Sequence, residues 1–564
     1  MHRLLFFYLL LIEFSGMAQP WDAKKYPKNY FQWPVKAEVG IVANFGELRN
    51  NHYHMGLDCR TEQKVNMPIL AAADGYVTRI HIDATGFGRA IYINHPNGLT
   101  TLYAHLNDFY PELEAFTKAE QYKQKQWKIS IDIPKGKFPV NKGQFIAYSG
   151  NTGGSQGPHL HFEIRDTKTE KVLNPLYFGF DLPDNIPPDI TRLAIYDRHF
   201  STYEQSPRMI PVKKNKEGYY IAQPIKTTSD KISFGITAVD RLSGSANPNG
   251  ICATQLYLDN QLISRFEMDS ISYDETRYLN AHIDFKTKAS GGPYLQHLSP
   301  LPGYKKGIYE MSNNEDGITL LKDEEKHSIR IEVIDAQQNT TILEFFVQKE
   351  NQKETNRSWF RRRLFLPGQI NVFENDSVWL YMPEHTIYDA FQFSTSTYKL
   401  GNRTIYKIGS HRIPVHDYFP VRLKASFAKA DTGKIVMKVQ AGEKTRYKKA
   451  RWNNGWYEAS FRDFGDYELI CDKQAPEIKP LWGFRDGART SQLSRIAFLV
   501  TDNCKIIESF TALLDGKWIL FTNDKEGAFV YAFDEHCPPG EHLLEVIVKD
   551  LAGNVTRRSY TFTH

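Results

Sequence analysis

Five side chains in the first third of the chain have the types and spacing for metal chemistry: His54, Asp58, His105, His159 and His161. The last two stand in Gly157-Pro158-His159-Leu160-His161-Phe162-Glu163-Ile164, a tight entry followed by a short strand. Side chains alternate faces along a strand, so His159 and His161 share one face while Leu160 and Phe162 point into a core. Two imidazoles on one face can share a metal, or one can bind it while its neighbour handles a proton. Zinc in a hydrolytic site takes three protein ligands from the His/Asp/Glu set and keeps one position open for water. His54 and Asp58, in His54-Met55-Gly56-Leu57-Asp58, supply two of these, and one histidine of the 159/161 pair supplies the third. The other member of the pair and His105, in Tyr103-Ala104-His105-Leu106, are then free for proton transfer and charge stabilisation. There is no His-Glu-x-x-His segment, so the thermolysin-type helix is excluded. His52 reads as an exposed bystander, and His81 and His95 as structural.

These residues need short, well-ordered elements to hold them. Residues 68–73, 75–82, 89–94 and 99–105 carry alternating or continuous apolar runs. Asp74-Gly75, Gly86-Phe87-Gly88 and Asn97-Gly98 separate them with turn chemistry, and Pro96-Asn97-Gly98 predicts a hairpin. Residues 19–180 are therefore expected to form a compact antiparallel β domain. An insertion at about 110–138 interrupts it. Its first half is rich in Glu, Lys and Gln, with Leu113 and Phe116 at helical spacing, and predicts a surface helix; 128–133 alternates like a strand. Its place just after His105 suggests a wall of the cleft.

At 564 residues the chain exceeds one core. Hydrophobic content of 41% with 24% charged residues describes a folded protein, and a net charge of +5 gives no basis for nucleic-acid binding. Residues 1–18 read as a signal peptide: a short basic start, an apolar run from Leu4 to Ile12, and small residues before a cleavage site after Ala18. No later stretch is long and apolar enough for a membrane span, so the mature protein is expected to be exported, periplasmic or extracellular. Five scattered cysteines make no disulfide framework, although Cys504 and Cys537 fall in one apparent domain where they could pair.

After Asn185-Ile186-Pro187-Pro188-Asp189, a linker signal, the chain turns to strands with no long helical pattern. Residues 327–335 followed by Asn339 match 542–550 followed by Asn554, and 232–240 resembles 496–502. This is the mark of two copies of one β-sandwich module, 187–350 and 473–564. Between them lies a third β-rich block, 357–470, whose Asp463-Phe464-Gly465-Asp466-Tyr467 resembles the tyrosine corner of immunoglobulin-like sandwiches. The fold class is mainly β: a compact antiparallel β domain with a helical insertion, then about three immunoglobulin-like β-sandwich modules.

The ordered series Phe45-Gly46, 54–58, Ala71-Ala72-Ala73-Asp74-Gly75, 102–106, Lys142-Gly143-Gln144, Gly150-Asn151-Thr152-Gly153 and 157–163 resembles the lysostaphin/LytM-type zinc metallopeptidases over residues 36–178. The resemblance implies a metallopeptidase domain of duplicated-hybrid-motif type with one zinc per chain held by His54, Asp58 and His161, and with His105 and His159 as catalytic histidines. It also implies hydrolysis of peptide bonds in the stems or cross-links of bacterial cell-wall peptidoglycan, with the trailing modules open to a protein partner. All five motif positions are filled, and the insertion at 110–138 is the departure from the family pattern. Two other readings use the same scaffold: a protease of exported proteins, and a cell-wall-binding or regulatory protein.

Overall fold

The computed structural model describes residues 26–564 apart from 217, 305–306, 313–315, 351–362 and 526, so the expected signal peptide lies outside the described residues. The N-terminal domain is built from β1 (Ile41–Ala43), β2 (Leu57–Cys59), β3 (Pro68–Leu70), β4 (Gly75–Ile82), β5 (Arg89–Asn94), β6 (Leu99–Ala104), β7 (Leu106–Phe109), α1 (Pro111–Gln124), β8 (Ile129–Asp132), β9 (Phe145–Ser149) and β10 (Leu160–Asp166). One sheet runs β1-β2-β10-β6-β5-β4-β8, and a second, three-stranded sheet runs β3-β9-β7. Val77, Ile80, Ile91, Ile93, Leu160, Phe162 and Ile146 are fully buried between them. The period-2 pattern explains this core, because it loads one face of each strand with β-branched and aromatic side chains.

Register then does the positioning. Across β10 and β2, His161 lies directly opposite Asp58, and across β10 and β6 it lies opposite Ala104, the residue before His105. Directly opposed side chains on one face sit about 5 Å apart at Cβ. A one-residue slip would turn every one of these groups into the core. At His105 the chain leaves the large sheet for the small one through left-handed backbone, φ 60°, which a non-glycine residue adopts only under local constraint.

Beyond the linker, the first trailing module contains β11 (Lys231–Val239), β12 (Ala253–Leu258), β13 (Lys326–Ile334) and β14 (Thr340–Lys349); the last contains β15 (Arg495–Thr501), β16 (Ile507–Leu514), β17 (Glu541–Asp550) and β18 (Val555–Thr563). In each, the third and fourth strands of the set pair antiparallel, and the second pairs the third. The repeat extends to a shared detail: His327 Nδ1 lies 2.7 Å from Asp259, and His542 Nδ1 lies 2.7 Å from Asp515. Among the described residues the middle block has two five-stranded sheets and a two-stranded one around one core, and the Tyr467 hydroxyl donates to the Asp463 carbonyl at 2.5 Å. Cys504 and Cys537 are both free thiols, so the suggested pairing is corrected: Cys504 packs with Val436 and Ala552, while Cys537 lies in the core of the last module.

The first module is packed onto the N-terminal domain. Phe45, Tyr53, Met55 and Val172 belong to its hydrophobic cluster, and the Asn44 amide donates to the Gly250 carbonyl at 2.8 Å. Two histidines of this module, His282 and His297, are fully buried. Burial depresses both to about 3, since a desolvated imidazolium is disfavoured. Their folded values lie below the unfolded value of about 6.5, so the stability they confer is complete above that pH and is lost as pH falls towards 3. The expected loss is about 1.4 kcal/mol per pH unit per histidine. Urea unfolding followed from pH 7 to pH 5 should show stability falling in this way, and His297→Phe should remove one histidine's share of the fall.

Candidate metal centre

His54, Asp58 and His161 are buried and bring one ligand atom each to within 4.8 Å of one another. His54 Nε2 lies 2.9 Å from Asp58 Oδ1 and 3.1 Å from His161 Nδ1, and His161 Nδ1 lies 3.1 Å from the same carboxylate oxygen. The far side of each ring is occupied. His54 Nδ1 faces the Asn44 carbonyl at 2.7 Å, and His161 Nε2 faces Glu163 Oε1 at 2.9 Å. Those two acceptors take the ring protons, which leaves His54 Nε2, His161 Nδ1 and a carboxylate oxygen converging on one point. Three lone pairs aimed together need a cation between them. Positive charge is favoured at this spot: burial works against a charge on His161, but hydrogen bonds to Asp58 and Glu163 prevail and push it up to about 9, so a proton holds the place that a cation would take. Two imidazole nitrogens and one carboxylate suit a tetrahedral zinc with a fourth position left for water. Gly56 is required beneath this cluster, because a Cβ there would meet the Phe162 carbonyl at 2.5 Å and His161 Cε1 at 3.0 Å.

His105 and His159 stand beside the three donors, with ring centroids 4.8 Å apart. His105 Nδ1 faces the Thr152 carbonyl at 2.9 Å, and His159 Nδ1 faces the Gly157 carbonyl at 2.8 Å. In both rings this fixes the tautomer and leaves Nε2 as a free base. Burial, helped by the neighbouring His161 and His159, lowers His105 to about 3, so it is neutral at ordinary pH. His159 Nε2 is 3.4 Å from Asp58 Oδ1, farther than either other imidazole.

Comparison with known proteins adds the family. Residues 52–122 and 128–175 match the model of Peptidase family M23, and residues 362–472 match that of a Zu5-like domain. The chain carries an M23 peptidase domain. The break in its match falls at the end of α1, inside the insertion. A DD-carboxypeptidase/endopeptidase Mpg of Neisseria meningitidis is 31% identical over 159 residues, which are 28% of this chain and 30% of that protein. A peptidoglycan DD-endopeptidase ShyA of Vibrio cholerae is 30% identical over 158 residues, 25% of this chain and 30% of that protein. The chain thus spans under a third of the length of these relatives. The catalytic domain of lysostaphin from Staphylococcus simulans is 21% identical, covering 25% of this chain and 90% of that one, with a TM-score of 0.19.

Several residues around the M23 centre escaped the sequence reading. Glu163 is wholly buried, holds His161 through one oxygen, and takes Arg165 Nε at 2.7 Å through the other. The hydroxyl of Tyr273, in the first trailing module, donates to the same carboxylate. Glu163 follows His161 by two on one strand and so shares its face, which was legible in the sequence. Tyr273, more than a hundred residues away, was not.

The insertion forms α1 and β8, and β8 pairs the edge of β4. Its outer face meets the last module instead of standing open as a cleft wall. Lys118 pairs with Asp534 at 2.7 Å and Glu535 at 3.0 Å, and the ring of Tyr122 stacks on His536 at 3.8 Å. A cavity lined by Gln126, Trp127, Thr501, Phe510 and Trp518 lies along this seam and includes none of the five site residues. A second contact falls beside the centre itself. Lys525 Nζ donates to the Ser155 carbonyl at 2.6 Å and the Gly153 carbonyl at 3.3 Å, and the Gly153 amide donates to the Asp524 carbonyl at 3.2 Å. That loop also carries Thr152 and Ser155, which touch His105 and His159.

Proposed function

We propose that this chain is a zinc-dependent endopeptidase that hydrolyses peptide bonds in the stems or cross-links of bacterial cell-wall peptidoglycan, acting after export in the periplasm or outside the cell. The observation that carries the reading is the convergence of three donor atoms from His54, Asp58 and His161 beside two further imidazoles with free Nε2 atoms. The names of the M23 relatives, a DD-carboxypeptidase/endopeptidase and a peptidoglycan DD-endopeptidase, support the substrate class. Among the described residues no helix is long and apolar enough to cross a membrane.

A bound zinc supplies a Lewis acid for the scissile carbonyl and lowers the pKa of its water towards about 7. The chain does the rest. One of His105 and His159 takes the proton of the attacking water at Nε2; the other, protonated, donates from Nε2 to the developing oxyanion or the departing amine. The carbonyls of Thr152 and Gly157 keep both rings turned for this role. Glu163 fixes the ring of His161 from behind. Muropeptide analysis of purified sacculi tests the proposal: new stem-peptide products that vanish with a chelator and return with zinc are expected. Intact sacculi alongside cleavage of an exported protein would replace it with the protease reading.

The grip of the last module on the 151–155 loop and on α1 supports a second reading, in which this module restrains the centre. Lys118→Glu combined with Lys525→Glu places like charge against Asp534, Glu535 and the loop carbonyls. Turnover of sacculi is expected to rise several-fold in this variant, with zinc content unchanged. Equal or lower turnover in a folded variant would show that the module does not restrain the enzyme.

A further inference from the structure

A second set of converging acceptors lies far from the M23 centre, where the linker enters the first trailing module. Asp184 in the linker, Asp240 directly after β11 and Asp335 directly after β13 each bring a carboxylate oxygen within 4.8 Å of the others. Asp240 is 4% exposed and Asp335 is 1% exposed. Acidic clusters are common on surfaces; in this one two members are buried, and although Asp335 is served at both oxygens by Gln337 and Asn339, Asp240 and Asp184 each keep an unsatisfied oxygen. Asp240 Oδ1 and Asp184 Oδ2 are both shielded from solvent without a hydrogen-bond partner, and so is Oδ1 of Asn249, whose backbone bridges Asp240. Burying one unpaired carboxylate among two others costs several kcal/mol unless a proton or a cation joins them. The strain shows in Asp240, which burial and the charges of Asp335 and Asp184 push up to about 7.

The last module supplies an internal comparison. Asp472, Asp502 and Asp550 take the same places, and the Asn554 amide ties Asp550 to the Asp472 carbonyl as Asn339 ties Asp335 to the Asp184 carbonyl. There, however, both oxygens of Asp472 have side-chain donors, Asn503 Nδ2 at 2.9 Å and the Cys504 thiol at 3.5 Å. At Asp184, Ser243 and the Ile186 amide serve only Oδ1. The two copies therefore differ at the Asp184/Asp472 position, where only the last module fills both oxygens with protein donors; Asp502 Oδ1, in the place of Asp240 Oδ1, is likewise shielded without a partner.

We propose that Asp184, Asp240 and Asp335 bind a calcium-class divalent cation that fastens the linker to the first module. The donor set is all oxygen, which suits a hard cation rather than zinc. Calcium is favoured over magnesium because magnesium keeps several of its waters, and two of these three carboxylates are buried with little room for them. The ion would join three segments of the chain: the linker, the end of β11 and the end of β13. Because the first module also carries Tyr273, this junction bears on how that tyrosine meets Glu163.

The test uses the full-length, zinc-loaded protein, stripped of calcium, with isothermal titration of calcium chloride and thermal unfolding. One calcium per chain is expected, with a rise in Tm on its addition. Asp240→Asn should weaken binding at least tenfold and remove the calcium-dependent rise, while raising Tm in calcium-free buffer by relieving the repulsion. If Asp240→Asn does not fold, Asp184→Asn, at a less buried position, carries the same expectation. No heat and no Tm change at millimolar calcium would overturn the proposal, as would binding that Asp240→Asn and Asp184→Asn leave unaltered. The zinc content of every sample is measured alongside, so loss of the M23 centre cannot be mistaken for loss of this one.

Discussion

His159→Ala and His105→Ala are each expected to keep one zinc per chain and to lose turnover of sacculi by about 100- to 10,000-fold, the usual worth of a positioned acid or base. His161→Ala and Asp58→Ala should instead lose the metal. The distinction is demanding, because three imidazole nitrogens surround Asp58 Oδ1, at 2.9 Å for His54, 3.1 Å for His161 and 3.4 Å for His159. What separates them is the group behind each ring. His161 has the Glu163 carboxylate on its far nitrogen, which raises its basicity and holds its lone pair on the metal position. His159 has only a backbone carbonyl there. Zinc content by mass spectrometry, read beside muropeptide release, decides the matter. Loss of zinc from His159→Ala with zinc retained in His161→Ala would exchange the two roles.

Glu163→Gln should lower zinc affinity by about 10- to 100-fold, as removal of a partner behind a metal ligand does. Glu163→Ala should also destabilise the domain by about 3–5 kcal/mol, because it leaves the Arg165 guanidinium buried without its counter-charge. The carboxylate is held at about 2 despite its burial, by Arg165 first and then by His161 and Tyr273. It therefore stays ionised throughout the pH range in which the protein would work. Competition against a chromophoric chelator measures the affinity without reference to activity, and urea unfolding measures the stability. Unchanged zinc affinity in Glu163→Gln would mean that the Asn44 carbonyl and the strand register alone orient the ligands. Tyr273→Phe removes one of three partners of Glu163 and should have a smaller effect of the same sign.

Much of the centre was legible from residue order alone. Alternation along residues 159–164 put His159 and His161 on one face and sent Leu160 and Phe162 into the core, which is where both lie buried. That follows from the two-residue period of a strand and needs no tertiary information. The hairpin at Asn97-Gly98, the helix of the insertion and the repeat shared by the first and last modules were readable for the same reason, since each is a local pattern of turn chemistry or periodicity. The register of β10 against β2, which sets Asp58 opposite His161, was not local: pairing is chosen by the whole core, and sequence spacing only permits it. Nor could the chain order say which element would cover α1. The expectation of a cleft wall came from position, and the structure gave that face to the last module, through charges and a stacked ring hundreds of residues away. Cys504 and Cys537 shared a domain in sequence yet were directed into different cores. The sequence by itself determined the chemistry available, four imidazoles and a carboxylate on or directly beside short strands, because side-chain type and strand period are local properties. Only the tertiary structure decided which distant groups meet, Tyr273 with Glu163 at the M23 centre and Asp184 with Asp240 and Asp335 at the linker, because long-range packing joins segments without leaving any spacing to read.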